Sequence, residues 1–212
     1  MHPFQLLPGT FRRWLYRVTL VLTLLMGAVL WVRNLDLRTE TAPRGLLSLE
    51  LSFSSARAEA VVASWLAARG RSAPESFNPL DNVVLGLPGN RTRDAALQLA
   101  QAFAFSLCWA PVLCLACLWG HERFPASRTG LWLAWGVWIA AAAAAVSNAL
   151  MLIIIEGRPW TPLLPAASIV KWLLVLYALE WSSWAAWRGG RRAQALLAWA
   201  ASAALVLPAL LA

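Results

Sequence analysis

Five stretches of this 212-residue sequence are apolar for roughly 20 residues each: Trp14–Val32 and about 96–119, 131–155, 162–187 and 193–212. A helix crosses a ~30 Å hydrocarbon layer with about 20 residues, so each stretch is long enough to span. Inside a bilayer the backbone must satisfy its own hydrogen bonds, which makes these segments helices. Composition points the same way, since 60% of residues are hydrophobic and only 13% charged, against about a quarter charged in soluble domains. A water-soluble enzyme, a disordered chain and a disulfide-rich secreted module are excluded. The three cysteines all sit in one apolar stretch and form no disulfide framework.

The net charge of +8 comes almost wholly from arginine, Lys171 being the single lysine. The arginines cluster beside the apolar stretches, which is how topology is set rather than how nucleic acid is bound. Arg12, Arg13 and Arg17 precede or open the first stretch. Arg123 and Arg128 lie in the second short link, and Arg188, Arg191 and Arg192 in the last. The link between the third and fourth stretches has Arg158 balanced by Glu156. With five spans every basic cluster falls on one side, giving a cytoplasmic N-terminus, residues 34–95 outside and the C-terminus outside. The first stretch runs straight into Arg33-Asn34-Leu35-Asp36 without a small-residue cleavage pattern, so a retained helix is expected. Tryptophan, present fourteen times, marks the headgroup layers. Trp14, Trp119, Trp132, Trp135, Trp138, Trp181, Trp184 and Trp187 fall at the inner ends, and Trp31 and Trp160 at the outer boundary.

Residues 34–95 form the one sizeable polar section. Leu47, Leu49, Leu51 and Phe53 alternate with Ser48, Glu50 and Ser52, the period of a half-buried strand. Ser54-Ser55 offers a cap to a helix with Val61, Val62, Trp65 and Leu66 along one face, ending near Gly70. Residues 72–90 are rich in Pro, Gly and Asn and predict a loop, with Val83-Val84-Leu85 a possible second strand. The fold class expected is therefore an all-α membrane protein: about five transmembrane helices plus a small extracytoplasmic α/β cap. Its parts are an N-terminal span (1–33), a cap with one strand and one amphipathic helix (34–95) and a four-helix bundle (96–212).

Lys171 lies about nine residues into the fourth stretch, where an ammonium is costly and normally faces protein or water. Equal counting back from the turn near residue 160 brings Asn148, with Ser147 beside it, to the same depth. Neither neutralises the charge, and the missing acid is sought in Glu156, Asp81 or Glu50. Two roles remain open: a ligand or proton-relay site, or a polar bridge fixing the hairpin. Glu180 points away from Lys171 at 100° per residue and reads as an interfacial acid. Cys114, Cys117 and His121 share a helix face, but about 10 Å separates the ends of that set. That is too far for one mononuclear ion, so no metal or cofactor is expected. The Ala140–Ala145 run reads as a smooth packing face.

Several pieces together resemble a group of small bacterial multi-pass membrane proteins of no established activity. Leu49-Glu50-Leu51 through Ser54-Ser55 to Ser64-Trp65 is similar to their strand-plus-helix opening, and Phe77-Asn78-Pro79-Leu80-Asp81 to an Asn-x-x-Leu-Asp segment. Val146–Leu152, Pro159-Trp160 and Ile169-Val170-Lys171-Trp172 resemble a Glu-Asn-x-x-Leu-Leu hairpin with its lysine, except that Ser147 stands where the group tends to carry the acid. The resemblance implies a bacterial inner-membrane protein and supplies no chemistry.

No phosphate loop, nucleophile elbow or paired carboxylates occur, so no catalytic activity is nominated. The expected function is a scaffold or accessory subunit of a larger membrane complex, meeting a protein partner through the cap and tryptophan-rich faces. The alternative is a small-ligand or lipid transporter or binding protein with its site at Lys171 and Asn148. Membrane lipids are partners in both, and nucleic acid in neither.

Overall fold

The computed structural model describes residues 2–67 and 91–210, without the side chains of 201 and 204–210. Among the described residues a 3-10 turn, Pro3–Leu6, precedes seven helices: α1 (Gly9–Asp36), α2 (Leu46–Glu50), α3 (Ser55–Ala67), α4 (Arg91–Arg123), α5 (Thr129–Ile155), α6 (Leu163–Arg188) and α7 (Arg192–Leu210). Among the described residues four of them, α1, α4, α5 and α6, are long and apolar enough to cross a membrane. Even α6, with 26 residues, runs about 39 Å, beyond the ~30 Å of hydrocarbon. This is the pattern of a multi-pass membrane protein.

Two expectations are corrected. The C-terminal stretch forms α7, but the described residues hold four such spans rather than five. The α/β cap is the larger error: among the described residues there is no strand, and Leu46–Glu50 is the helix α2. The same segment also places Leu46 and Leu49 three residues apart, a helical spacing that sets both on the core, so its pattern served both periods. Local hydrogen bonds decide between them. The Asn34 side chain donates to the Arg44 carbonyl at 3.0 Å and accepts the Leu46 N–H at 2.9 Å, and Gly45 takes a φ of 58° to start the turn. The Arg44 N–H reaches Ser48 Oγ at 3.0 Å, and the Ser52 hydroxyl closes the other end on the Leu49 carbonyl at 2.6 Å. An unpaired strand would leave those groups unsatisfied. The proposed second strand at 83–85, Asp81, the Asn-x-x-Leu-Asp segment and the loop at 72–90 lie outside the described residues.

The chain divides into two compact units. One comprises residues 1–25, 105–144 and 169–212, the other 26–104 and 145–168.

In the second unit α2 and α3 pack on one apolar core. Leu37, Leu49, Ala58, Val61 and Trp65 are buried with Ala95 and Leu99 of α4, Met151 and Ile154 of α5 and Leu164 of α6. Ser54 caps α3 by accepting the Arg57 N–H at 3.3 Å, as the sequence suggested. Trp65 donates its indole N–H to the Leu37 carbonyl at 2.8 Å, and Trp160 does the same to Ser52 at 3.1 Å. Of the apolar residues the sequence assigns to the strand and the helix face, Leu49, Val61, Val62 and Trp65 meet here, whereas Phe53 and Leu66 are exposed.

In the first unit small residues let helices approach closely. Ala110, Cys114, Cys117 and Leu118 of α4 pack with Ala134 and Val137 of α5 and Ala178 of α6. At Gly130 a Cβ would stand 2.6 Å from the Cys117 carbonyl oxygen and 2.7 Å from the Trp181 indole nitrogen, so only glycine fits. The alanine run is a narrower face than expected: Ala140 and Ala144 are buried, one turn apart, while Ala142 is exposed. All eight tryptophans assigned to the inner ends belong to this unit, and Trp31 and Trp160 to the other.

Candidate functional site

Of the candidate residues singled out around Lys171, four are buried, Glu156 is exposed and Asp81 lies outside the described residues. Lys171, in the first unit, is 8% exposed, and its ammonium lies 4.5 Å from the centre of the Trp172 ring. Ser147, Asn148 and Glu50, in the second unit, are buried as well. Sequence reasoning missed other buried polar groups in the second unit. Gln98 donates from Nε2 to the Leu30 carbonyl at 2.7 Å. Its Oε1, the Gln101 Oε1 and the Ser168 hydroxyl are buried without a hydrogen-bond partner.

The Cys–His face of α4 is divided among different neighbours. The Cys117 thiol faces the Ala178 carbonyl at 3.8 Å, and His121 Nδ1 lies 2.9 Å from the Ser127 carbonyl, to which it donates. Cys114 instead meets His2, whose Nε2 is 3.5 Å from its sulfur. His2 is buried because the turn at Pro3–Leu6 folds it in. Its Nδ1 accepts the Phe4 N–H at 3.2 Å, and its ring rests 4.7 Å from that of Trp135. With Nδ1 accepting, the ring proton sits on Nε2 and the imidazole is neutral. Burial lowers the His2 pKa from its ordinary 6.5. Glu180 accepts the Trp199 indole N–H at 3.0 Å, and no arginine among the described residues pairs with it.

The site with the strongest geometry was not anticipated. In the first unit a cavity of about 520 Å³ opens where the arginine-bearing ends of α1, α4, α6 and α7 come together, a volume within the ~300–1,000 Å³ of small-ligand pockets. Each helix contributes one face at i, i+3, i+4 spacing. Gly9, Arg12, Arg13 and Tyr16 come from α1, and Ala116, Trp119, Gly120 and Arg123, with Glu122, from α4. Ser182, Ala185, Ala186 and Gly189 follow from the α6 end. Arg191, Gln194 and Ala198 complete the wall. Small residues keep the space open while the ends supply charge.

Local structure explains how the arginines arrive. The α6 helix ends in a Schellman turn: the Arg191 N–H bonds the Ala186 carbonyl at 2.9 Å and the Gly190 N–H that of Trp187 at 3.0 Å. Gly190 holds the left-handed φ of 76° that this turn requires. The turn separates three neighbouring arginines. Arg188 and Arg192 stack over Trp184 and Trp187 at 5.8 and 5.6 Å, while Arg191 joins the cavity wall. Arg123 fits because residue 189 is glycine, where a Cβ would stand 2.8 Å from its Nε.

Four arginines line the wall against one carboxylate. Arg12 forms an ion pair with Glu122; its side chain is only 16% exposed, and its Nε is buried without a partner. Arg13 donates to the Gly9 carbonyl at 3.3 Å. Among the described residues no acid pairs with Arg13, Arg123 or Arg191. The N-terminal ends of α1 and α7 both border the space, and helix N-termini add to a field that favours anions. The sequence did carry a signal, the repeated small-residue spacing beside each basic cluster. Which arginines turn inward, however, depends on helix rotation. Comparison with protein-family models, curated proteins and solved structures found no match to this chain.

Proposed function

We propose that this chain is a small membrane-embedded binding protein whose ligand is anionic and occupies the arginine-walled cavity. One observation carries the proposal: three arginines with no acidic partner among the described residues line a cavity large enough for a ligand. The binding class thus moves from Lys171 and Asn148 to the arginine-bearing helix ends. By the positive-inside rule those ends face the cytoplasm of a bacterial inner membrane, with residues 34–95 on the other side. Reporters fused after Arg128 and inserted near Asn90 should read cytoplasmic and external, and the opposite result at either point removes this orientation.

For binding, the purified protein in zwitterionic detergent is titrated with anionic amphiphiles and with inorganic anions while the thermal midpoint is followed. A bound anion stabilises by mass action, about 2.7 kcal/mol at a hundred times Kd. The Arg123→Gln/Arg191→Gln double variant should lose the shift. Arg188→Gln/Arg192→Gln removes equal charge outside the cavity and should keep it. If no anion shifts the wild type more than the cavity variant, the proposal fails.

An accessory-subunit role has its own support in α1. Only 6% of its apolar stretch is buried, against 33–39% in α4, α5 and α6. Cross-linking from Val21 or Leu25, both exposed, should trap a specific membrane protein if a partner helix lies along it. Lipid-only adducts would remove that support.

A further inference from the structure

We infer that the cavity takes a terminal phosphate or diphosphate group carried on a membrane amphiphile, an inference that rests on the anion-binding proposal above. Charge is the first ground. With the charge of Arg12 paired to Glu122, the guanidiniums of Arg13, Arg123 and Arg191 remain. A phosphodiester brings one negative charge and leaves two of them unmatched. A phosphomonoester carries about 1.5–2 charges at neutral pH, and a diphosphate carries more. Arginine suits this chemistry, because its planar fork grips two phosphate oxygens at once where a lysine offers a point charge.

The second ground is the gradient along the walls. On α4 the lining runs from Arg123 to Ala116, seven residues or about 10 Å along the axis. From the turn before α7 and along that helix it runs from Arg191 to Ala198, and on α1 from Arg12 to Tyr16. The arginines stand at the helix ends, while Ala116, Ser182 and Ala198 line the space one to two turns further along, beside the Tyr16–Trp119 ring pair, 4.8 Å apart. A freely soluble anion has no use for the apolar end. A headgroup fills the charged end while the first carbons of its tail lie against the alanines. Basic pockets between spans are places where phosphate-rich lipid headgroups bind.

The test uses the full chain in nanodiscs of zwitterionic phosphatidylcholine. Three probes are compared: phosphatidic acid, phosphatidylglycerol at a mole fraction giving equal surface charge, and free inorganic pyrophosphate. Bound lipid is counted by native mass spectrometry, and pyrophosphate affinity is taken from calorimetry. Phosphatidic acid should be retained about tenfold better than phosphatidylglycerol. Arg123→Gln and Arg191→Gln should each lower that retention about tenfold, and Arg192→Gln should leave it unchanged. Arg123→Lys, which keeps the charge and loses the fork, should fall between. Each variant is accepted only if monodisperse with a wild-type helical spectrum. Equal retention of the two lipids at matched charge overturns the monoester inference while leaving anion binding intact. Pyrophosphate binding that is equally sensitive to Arg123→Gln, without retained phosphatidic acid, overturns the amphiphile and leaves a soluble ligand. Absence of binding by all three probes removes both this inference and the proposal beneath it.

Discussion

Trp65 anchors the folded part of the polar section, and its removal can be worked through quantitatively. The ring is 1% exposed within the core of Leu37, Leu49 and Val61, and its N–H bonds the Leu37 carbonyl at 2.8 Å. A tryptophan buries about 150–250 Å²; at ~25 cal/mol per Å² that is roughly 4–6 kcal/mol, an upper bound. Large-to-small changes at aromatic core positions cost about 3–5 kcal/mol. That range is adopted for Trp65→Ala, with the lost indole bond inside it. The effect is local, so the assay is amide hydrogen exchange over residues 37–67. At 1.4 kcal/mol per decade, exchange should accelerate by about 10² to 10³·⁵-fold. Trp65→Phe, which keeps most of the volume and loses the hydrogen bond, should accelerate it about tenfold. Phe53→Ala should change it little, because that ring is already in solvent. Acceleration below tenfold in Trp65→Ala would refute the cluster as what holds α2 and α3. A Phe53→Ala effect as large as that of Trp65→Ala would revive the strand.

Three further outcomes are expected. Gly130→Ala drives a methyl into the Cys117 carbonyl and the Trp181 ring and should destabilise by about 1–3 kcal/mol; an unchanged thermal midpoint would contradict the close approach. In imidazole-labelled NMR, where the chain's two histidines give two signals and His2→Gln assigns them, His2 should titrate below 6.5. Because the docked form keeps the ring neutral, docking of the N-terminal turn is complete above pH 6.5 and is lost as pH falls below it; a midpoint above 6.5 would refute the buried neutral ring. Lys171→Met keeps the stem and removes a buried charge, so the protein should assemble with a midpoint equal to or above wild type. A large loss, measured by size exclusion and thermal melting, would show that the ammonium is structurally required.

What the sequence determined by itself was set by local properties. Twenty apolar residues in a row must be helical in lipid whatever they touch, so α1, α4, α5 and α6 were legible from their lengths. Ser54 as a cap, the Val61–Trp65 stripe and the arginines at the span ends were legible for the same reason. Only tertiary structure decided the rest. Leu46–Phe53 satisfied two periods at once, and the choice fell to Asn34, more than ten residues away, and to the absence of a strand to pair with among the described residues. His2 and Cys114 are 112 positions apart and nothing in either neighbourhood announces their contact. The cavity was hidden for a deeper reason. In a soluble helix, water marks the outer face by contrast and so reveals the rotation. In hydrocarbon, the lipid-facing and protein-facing sides are both apolar, and that contrast vanishes. Arg188, Arg191 and Arg192 are therefore equivalent as sequence. Packing and the left-handed Gly190 select Arg191 for the cavity and leave the other two on tryptophan rings.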